Sequence, residues 1–572
     1  MKTRAQPEPA RTEPGSPMDV RPDRYAKLNR GLPRPAVLAW LLVGLCGLPA
    51  VWNSHWMWID DQIIVGAQLW PPDSIVNRAL HAMGREYVAH GLYFKLLSLI
   101  LPLRPFWYYL VNYLMHLGVI GLAGWVVWRA TRSRLATTLA VLTAGFASTG
   151  PEVFLTLLKL ELPMMLWLLI SLLLLQRLLR ADRGRPVGLL VVLVVTTFLS
   201  GTLGKETFVI LPAGLIAALV ASVLAGSRPP QVGRLFAAAC ATCLGVAAVF
   251  VERRLLGVRG ITNGSYTGKL LVLHPTLAAL LGRADIYSYV AGDAVLLTAI
   301  SAVLCIGCVV CAAFRRRGLS AAQVVAITCA AAASAQVAFD IVFIDFVTVY
   351  YLYPAGILSA VALACLWPGE VSGPRRLKQA GRAGLAAVLA GTTIVTLPTF
   401  ALRVYAQNAI PEMEWHLIRA IAATPPHSLV LLAFPPGAEM IGNTPVLVQY
   451  ALGRNHIDIQ SALGADTAAR LARAEAARRP VFLAFVYDFG ENWKVGVRGV
   501  AQKTRKETLA LAGRHGIQYI CRDLGGTLGP WSITISRVPL GWPLIQHIRF
   551  GYGWELDRLP ASFGAAYGCS SD

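Results

Sequence analysis

The chain has 572 residues, of which 55% are hydrophobic and only 15% are charged. Because a soluble globular protein is usually about one quarter charged, this composition excludes an ordinary soluble domain and indicates lipid as the main solvent. The net charge is +21, but Lys and Arg are concentrated in short segments between apolar runs. The chain lacks the basic stripe of a nucleic-acid-binding protein, so no nucleic-acid partner is predicted.

The N-terminal segment, residues 1–35, is polar and rich in Pro and Arg, which predicts a disordered basic tail. Residues 36–405 form a predicted transmembrane domain, because apolar runs recur there at lengths near the roughly 20 residues that cross a bilayer. The sequence therefore predicts a polytopic α-helical membrane protein with about eleven spans: 36–52, 107–128, 135–150, 154–176, 187–203, 207–226, 234–251, 293–314, 320–344, 347–367 and 384–404.

The segments that connect these spans alternate in charge. Every second segment is basic, starting with the N-terminal tail, and the short segments between them are poor in Lys and Arg. By the positive-inside rule, the N-terminus is cytoplasmic and the C-terminus extracytoplasmic, in a multi-pass protein of the cell (inner) membrane. The predicted outer pieces are the loops 53–106 and 252–292 and the region 406–572. The basic clusters after the tail are Arg129, Arg132 and Arg134; Arg177, Arg180, Arg183 and Arg185; Arg228 and Arg234; Arg315, Arg316 and Arg317; and Arg375, Arg376, Lys378 and Arg382.

The C-terminal region, residues 406–572, has a different pattern. Strand-like runs at 428–434, 481–487, 517–520 and 531–538 alternate with helix-like stretches at 467–478 and 504–515, which predicts a small extracytoplasmic α/β domain. Cys521 and Cys569 could form a disulfide there, and the sequence leaves this open. Cys305, Cys308 and Cys311 lie within an apolar run and predict a close helix-packing face rather than a metal site.

The first outer loop opens with two adjacent carboxylates, Asp60 and Asp61, a few residues beyond a membrane edge marked by Trp52, Trp56 and Trp58. Such a pair could hold a divalent cation, or one carboxylate could act as general base on an incoming hydroxyl. The structural alternative is a helix N-cap, because an apolar-periodic stretch follows.

A second polar group lies at the outer start of the fourth predicted span. Glu152, Thr156 and Lys159 have i, i+4, i+7 spacing, which predicts one shared helix face, and Glu161 follows. A charge near the bilayer centre costs roughly 2.5–3.5 kcal/mol, so such residues usually face a cavity or a partner. They are candidates for substrate binding, and the alternative is a Glu–Lys pair that fixes helix packing.

A third group, Gly204-Lys205-Glu206-Thr207, forms the outer turn between the fifth and sixth spans. Lys205 could bind a phosphate by charge, helped by free backbone N–H groups at a helix start. The alternative is a simple helix-start charge. Further along, three tyrosines at 350, 351 and 353 could stack on a sugar or polyprenyl chain, or could form a membrane-interface belt.

These groups, taken in chain order, resemble the GT-C glycosyltransferases. The resemblance is strongest to the branch of tetratricopeptide-bearing O-mannosyltransferases and their bacterial relatives, and it covers about residues 55–225. No tetratricopeptide repeats follow, Gly204 stands where Ser is usual, and Glu161 stands about where Asp is usual. The matching positions are Asp60 and Asp61; Tyr109, Asn112 and His116; Pro151, Glu152, Lys159 and Glu161; and Gly204, Lys205 and Glu206.

The resemblance implies that an acceptor hydroxyl attacks the anomeric carbon of a polyprenyl-phosphate sugar with inversion. Asp60 or Asp61 would be the base or a ligand of a divalent cation, Mg²⁺ or Mn²⁺. The implied substrate-binding side chains are Glu152, Lys159, Glu161, Lys205 and Glu206, joined by Arg253 and Arg254 at the start of the next outer loop. Lys205 and the two arginines would neutralise the leaving phosphate. For the arginine pair, interfacial anchoring is the alternative.

Two other classes of function remain open. A transporter or flippase for a lipid-linked glycan would be expected to show repeated halves and broken helices near the midplane. The sequence has no such duplication, and its ionisable residues gather at the outer ends of spans. A non-catalytic scaffold that presents the C-terminal domain is the third class. The sequence does not specify the sugar, or whether the acceptor is a glycan, a lipid or a protein.

Overall fold

The protein is described by a computed structural model at residues 31–56, 88–157, 159–180, 186–255, 275–344, 349–368, 375–432, 444–453, 456–461, 465–477, 479, 481–484, 532–533 and 548–549. The α-helices are α1 Arg34–Trp52, α2 Val88–Ile100, α3 Pro105–Thr131, α4 Arg134–Gly145, α5 Gly150–Phe154, α6 Glu161–Arg180, α7 Pro186–Thr202, α8 Ile210–Leu224, α9 Pro229–Leu255, α10 Leu277–Val290, α11 Gly292–Phe314, α12 Ala321–Phe343, α13 Tyr353–Cys365, α14 Arg375–Ala422 and α15 Thr467–Ala476. Short 3₁₀ helices occupy Glu206–Val209 and Val349–Leu352, and a π-helical turn occupies Leu447–Ala451.

Eight helical segments in the described residues are long and apolar enough to cross a membrane. They lie in α1, α3, α6, α8, α9, α11, α12 and the first part of α14. The other three predicted spans coincide with the shorter helices α4, α7 and α13. The polytopic α-helical class is therefore confirmed, whereas the count of eleven spans stays a prediction.

The basic segments meet at one end of the helix bundle. The Arg180 guanidinium donates to the Arg129 carbonyl, and Arg234 donates to the Leu179 carbonyl at 3.1 Å. On the same side, the Gln231 side chain donates to the Leu319 carbonyl at 2.9 Å. Four connecting segments that share a basic composition are thus adjacent in space, as the positive-inside pattern requires. That this end faces the cytoplasm stays a prediction.

Helix α13 lies at the centre of the bundle, and all 13 of its residues are buried. It packs against α3, α4, α11 and α12, and α12 packs against α8. Small residues allow these close approaches, since Gly214 of α8 faces the Thr328 carbonyl of α12 with no room for a Cβ between them. In α11, Cys305 is buried, Cys308 is half-buried and Cys311 is exposed, and all three thiols are free.

The C-terminal region contains a small parallel sheet. Strands β1 Leu429–Leu432, β2 Asp458–Ser461 and β3 Val481–Ala484 lie in the order β2-β1-β3, with α15 between β2 and β3 in the chain. Leu429 pairs with Asp458 on one side and Val481 on the other. A separate antiparallel pair joins β4 Ser532–Ile533 to β5 Ile548–Arg549.

This sheet agrees in part with the predicted α/β pattern. β1, β3 and α15 fall within predicted runs, whereas β2 was not predicted, because its sequence is short and alternates with polar residues. The runs 504–515 and 517–520, together with Cys521 and Cys569, lie outside the described residues. The second part of α14 packs on β1, since Trp415 and Ile418 belong to the same apolar cluster as Val430.

Candidate functional site

Buried ionisable side chains gather at the end of the bundle opposite to the basic segments. Helix α6 begins at Glu161 and ends at Arg180, so its first residue marks this opposite end. Glu152 of α5, Lys205 after α7 and Asp340 near the end of α12 are also buried. Burying an ionised group is costly unless it is paired or hydrogen-bonded, so the contacts of these four side chains decide what the site can do.

The predicted helix face of Glu152, Thr156 and Lys159 is wrong. Helix α5 ends at Phe154, and among the residues described between it and α6, none is helical. The fourth span therefore begins at Glu161 rather than near residue 154. Pro163 accounts for this start, because a proline is tolerated in the first turn of a helix but disrupts its interior.

The break between α5 and α6 is held by Asn112 of α3. Its side-chain amide donates to the carbonyl oxygens of Val153, Phe154 and Thr156 at 3.0, 3.1 and 3.2 Å. These bonds satisfy carbonyls that the interrupted helix leaves without partners. Asn112 is part of the Tyr-x-x-Asn-x-x-x-His pattern in the sequence, and the structure gives it this supporting role.

The central contact of the site is an ion pair between Lys205 and Glu161. The Lys205 Nζ lies 2.6 Å from the Glu161 Oε1, and the two side chains are 11% and 2% exposed. Lys205 precedes the 3₁₀ helix Glu206–Val209 as its N-cap. The preceding Gly204 has no space for a Cβ, which would overlap the Ser200 carbonyl oxygen and lie 2.6 Å from the Met164 Cβ. This packing therefore requires a glycine at position 204.

Two tyrosines enclose the lysines. The Lys205 Nζ lies 3.2 Å from the centroid of the Tyr351 ring and 4.8 Å from that of Tyr350. On Tyr350, the Lys159 Nζ lies 4.0 Å from the ring centroid. Desolvated cation–π contacts contribute about 2 kcal/mol or more, so the rings hold the ammonium groups in place. Their ring faces are engaged by the lysines, which disfavours the expected stacking on a sugar or polyprenyl chain.

Asp340 adds a second carboxylate to this cluster. It accepts a hydrogen bond from the Gln336 side chain at 2.8 Å and lies within electrostatic reach of both Lys205 and Glu161. The sequence analysis did not select Asp340. The available signal was a lone carboxylate inside an otherwise apolar predicted span, which is by itself an indication of function in a membrane protein.

Glu152 lies outside the candidate spans, on the short helix α5, and is buried. Burial raises the pKa of its carboxyl to about 7, although the neighbouring cations Lys159 and Arg403 act to lower it. Its Oε2 atom makes no hydrogen bond within the described part of the chain. A buried acceptor of this kind is suited to a hydroxyl or a water that donates a hydrogen bond.

Arg403 of α14 connects Glu152 to a further polar contact. Its guanidinium donates to the Ser148 carbonyl and lies near the carboxylates of Glu152 and Asp293. Asp293, at the start of α11, in turn accepts hydrogen bonds from the backbone N–H and hydroxyl of Ser148. The sequence analysis missed both residues because their common partner, Ser148, is 145 and 255 positions away in the chain and only tertiary packing brings it beside them.

His116 of α3 lies beside the site, between Tyr353 and Phe154. It is fully buried, its Nδ1 lies 2.9 Å from the Tyr353 hydroxyl, and its ring packs against Phe154 with centroids 4.8 Å apart. Tyr353 is also fully buried, which is inconsistent with a membrane-interface belt at this position. Its hydroxyl instead orients the imidazole of His116.

The structure thus brings together Glu152, Lys159, Glu161 and Lys205 among the predicted site residues. Arg253 and Arg254 lie in the last turn of α9, where the first is half-buried and the second exposed. This turn is joined to the end of α7 by a hydrogen bond from the Thr202 hydroxyl to Glu252 at 2.8 Å. Of Glu206, the structure describes only the backbone, at the start of the 3₁₀ helix.

The two candidate catalytic residues, Asp60 and Asp61, lie outside the described residues. Within the described ranges, no group of three or more His, Cys, Asp or Glu side chains is arranged to hold a metal ion. The predicted divalent cation at the Asp pair is therefore untested and stays a prediction.

Comparison with known proteins finds similarity at the level of structure. No protein-family model and no curated protein matches the sequence. The structure is similar to the crystal structure of ArnT from Cupriavidus metallidurans bound to undecaprenyl phosphate, with 13% sequence identity and a TM-score of 0.42. The aligned region covers 77% of this chain and 88% of that chain.

Proposed function

We propose that the protein is a membrane glycosyltransferase that moves a sugar from a polyprenyl-phosphate donor to an extracytoplasmic acceptor. The observation that carries the proposal is the cluster of the buried Glu152, Glu161, Lys205 and Asp340, joined by the half-buried Lys159, at the end of the bundle opposite to the basic segments. Ionisable groups in an apolar bundle cost free energy, and they usually form part of a substrate or ion site.

The position of the cluster favours transfer at a membrane surface. Its residues lie at the ends of α6 and α12 and in the turn after α7, rather than halfway along the helices. A polyprenyl-phosphate sugar presents its anomeric carbon at such a surface, with the polyprenyl chain in the lipid. A transporter would be expected to bind its substrate near the midplane instead.

In the proposed reaction, the carboxylate of Asp60 or Asp61 takes the proton of the acceptor hydroxyl. If the pair held a divalent cation, that cation would supply Lewis acidity at the hydroxyl. The acceptor oxygen forms a bond to the anomeric carbon as the bond from that carbon to the phosphate oxygen breaks. The polyprenyl phosphate leaves with the bonding electrons, and the configuration at the anomeric carbon inverts. Positive charge from Lys205 stabilises the negative charge that develops on the leaving phosphate.

The Glu161 carboxylate and the Tyr351 ring orient Lys205 for this role. The ammonium is fixed between a carboxylate at 2.6 Å and a ring centroid at 3.2 Å, so little reorganisation is needed when the phosphate binds. Glu152, with an acceptor oxygen that makes no hydrogen bond within the described residues, is proposed to bind a hydroxyl of the sugar or the acceptor.

The Asp pair provides the decisive test. The purified full-length chain is reconstituted in liposomes with labelled polyprenyl-phosphate sugars and a cell-envelope extract as acceptor source, and release of polyprenyl phosphate is measured. Asp60→Asn or Asp61→Asn should lower the rate by about 10²–10⁴-fold if one carboxylate is the base. Removal of divalent cations by a chelator, followed by addition of Mg²⁺ or Mn²⁺, tests the metal.

The capping alternative makes the opposite prediction. Asn caps a helix about as well as Asp, so both variants would then keep nearly full activity. Melting temperatures are measured beside turnover, so that loss of folding is separated from loss of chemistry. Wild-type transfer rates in both well-folded Asn variants would refute the catalytic assignment. Absence of transfer from every donor by the wild-type protein would refute the proposed function as a whole.

A further inference from the structure

A buried arginine outside the sites described so far lies on α10. Arg283 is 5% exposed, its Nη1 donates to the Ile344 carbonyl at 2.8 Å, and its Nε donates to the Ala279 carbonyl at 3.3 Å. Its Nη2 is buried and makes no hydrogen bond within the residues that the structure describes. The ion pairs Lys205 with Glu161, Arg470 with Asp466, and Arg479 with Asp458 do not involve Arg283.

A guanidinium in this setting is stable only with a compensating anion. Arg keeps its charge in proteins, so Arg283 cannot become neutral to avoid the cost of burial. Carbonyl oxygens satisfy two of its five N–H donors but supply no net negative charge. The remaining donors form a planar fork whose geometry matches the oxygens of a carboxylate or a phosphate.

The location of Arg283 connects it to the buried cluster. Ile344, which accepts its hydrogen bond, is one helical turn beyond Asp340. Asp340 is within electrostatic reach of Lys205 and Glu161. Arg283 therefore borders the same end of the bundle, from the side of α10.

The charges of the cluster indicate which cation is available to an anionic ligand. The charge of Lys205 is already offset by Glu161 at 2.6 Å, and Asp340 adds further negative charge nearby. A phosphate that met Lys205 alone would also meet these carboxylates. Arg283, which makes no ion pair within the described residues, adds a positive charge at this end of the bundle beside those of Lys159 and Lys205.

The surroundings of Arg283 also fit a lipid. Phe343, directly before Ile344, is 37% exposed, and Leu277 and Leu281 on the far face of α10 are 71% and 62% exposed. Exposed apolar side chains of this size at the end of a membrane bundle are suited to contact with acyl or prenyl chains. Phe343 places an apolar surface beside the Ile344 carbonyl to which Arg283 donates, and Leu277 and Leu281 show that the opposite face of α10 points outward from the bundle.

We propose that Arg283 binds the phosphate of the polyprenyl-phosphate donor and of the polyprenyl phosphate that leaves. This inference rests on the proposed function and extends it, because it assigns the principal phosphate contact to a residue on α10 rather than to the turn at Lys205. Lys205 then acts as the second, partly neutralised cation of the site.

Binding of a long-chain polyprenyl phosphate to the full-length protein in nanodiscs tests this assignment, with the matching polyprenol as the probe that lacks phosphate. The wild-type protein should bind the phosphate form more tightly. Arg283→Gln should weaken that binding about tenfold or more and leave polyprenol binding unchanged, because only the charge-assisted hydrogen bonds are removed. Arg283→Lys should fall between them, since it keeps the charge but not the fork.

Arg234→Gln is the matched control, because Arg234 also donates to a carbonyl but lies at the opposite end of the bundle. Unchanged affinity in Arg283→Gln would overturn the inference and leave the proposed function intact. Equal displacement by inorganic phosphate, or by phosphatidylglycerol, would also overturn it, by assigning the site to free phosphate or to a bilayer lipid. If the wild-type protein binds the polyprenyl phosphate through Arg283 but transfers no sugar, the inference stands and the proposed function fails.

Discussion

Separation of Lys205 from Glu161 provides a quantitative test of the site. The two side chains are almost fully buried and their charged atoms lie 2.6 Å apart. Removal of one partner of such a pair leaves an uncompensated charge, which typically costs 3–5 kcal/mol. In Glu161→Gln, the lysine keeps its contacts with the faces of Tyr350 and Tyr351, so we expect a loss near the lower limit, about 3 kcal/mol.

The matched variants are Lys205→Met, which leaves the carboxylate alone, and the double variant Glu161→Gln/Lys205→Met, which removes both charges. Replacing both members of a buried pair is often nearly neutral, because the desolvation penalty disappears with the attraction. The double variant should therefore recover most of the stability that each single variant loses. With single losses of about 3 kcal/mol each and a double variant that loses about 1 kcal/mol or less, the corresponding coupling energy is about 5 kcal/mol.

The free energy of unfolding is measured by reversible denaturant titration in mixed micelles for all four proteins. Because the cycle compares differences, errors that are common to the four measurements cancel. If the losses of the two single variants simply add in the double variant, Glu161 and Lys205 are not coupled. That result would refute the ion pair as the centre of the site.

Three further predictions follow from the same contacts. Gly204→Ala should cost about 1–3 kcal/mol, because its Cβ has no space, whereas Gly188→Ala, with nothing within 4 Å, should be neutral or slightly stabilising in the same unfolding assay. The folded protein keeps the Glu152 proton to higher pH than the unfolded chain, since burial raises the pKa from 4.5 to about 7. The free energy of unfolding of the wild type, relative to that of Glu152→Gln, should thus fall by about 3 kcal/mol as pH rises from 4.5 to 7 and stay constant at higher pH. A difference between the two proteins that does not change with pH would contradict this prediction. Reporter fusions after Arg382 and at the C-terminus should report cytoplasm and exterior respectively, and a cytoplasmic C-terminus would reverse the placement of the whole site.

The class of protein follows from the sequence because membrane spans are encoded locally. A helix that crosses lipid must satisfy its backbone internally and present apolar side chains along its length, so each span is recognisable without reference to the others. The alternation of basic segments is local in the same way, and the contact of Arg180 with the Arg129 carbonyl agrees with it. For this reason the predicted spans coincide with helices. Glu152, Glu161 and Lys205 could be selected for the same reason, because each is an ionisable residue beside or within an apolar span.

The partners of those residues depend on tertiary packing. Lys205 is 44 positions from Glu161 in sequence, and the roles of Asp340, Arg403 and Arg283 become apparent only when α12, α14 and α10 pack beside the site. The sequence also placed residues 154–160 in a helix, whereas the chain is interrupted there and Asn112 of α3 holds the break. Periodicity reports which face of a segment avoids water, but it contains no information on which distant side chain lies opposite. Only the folded bundle fixes that choice, because each buried charge must be compensated where it lies.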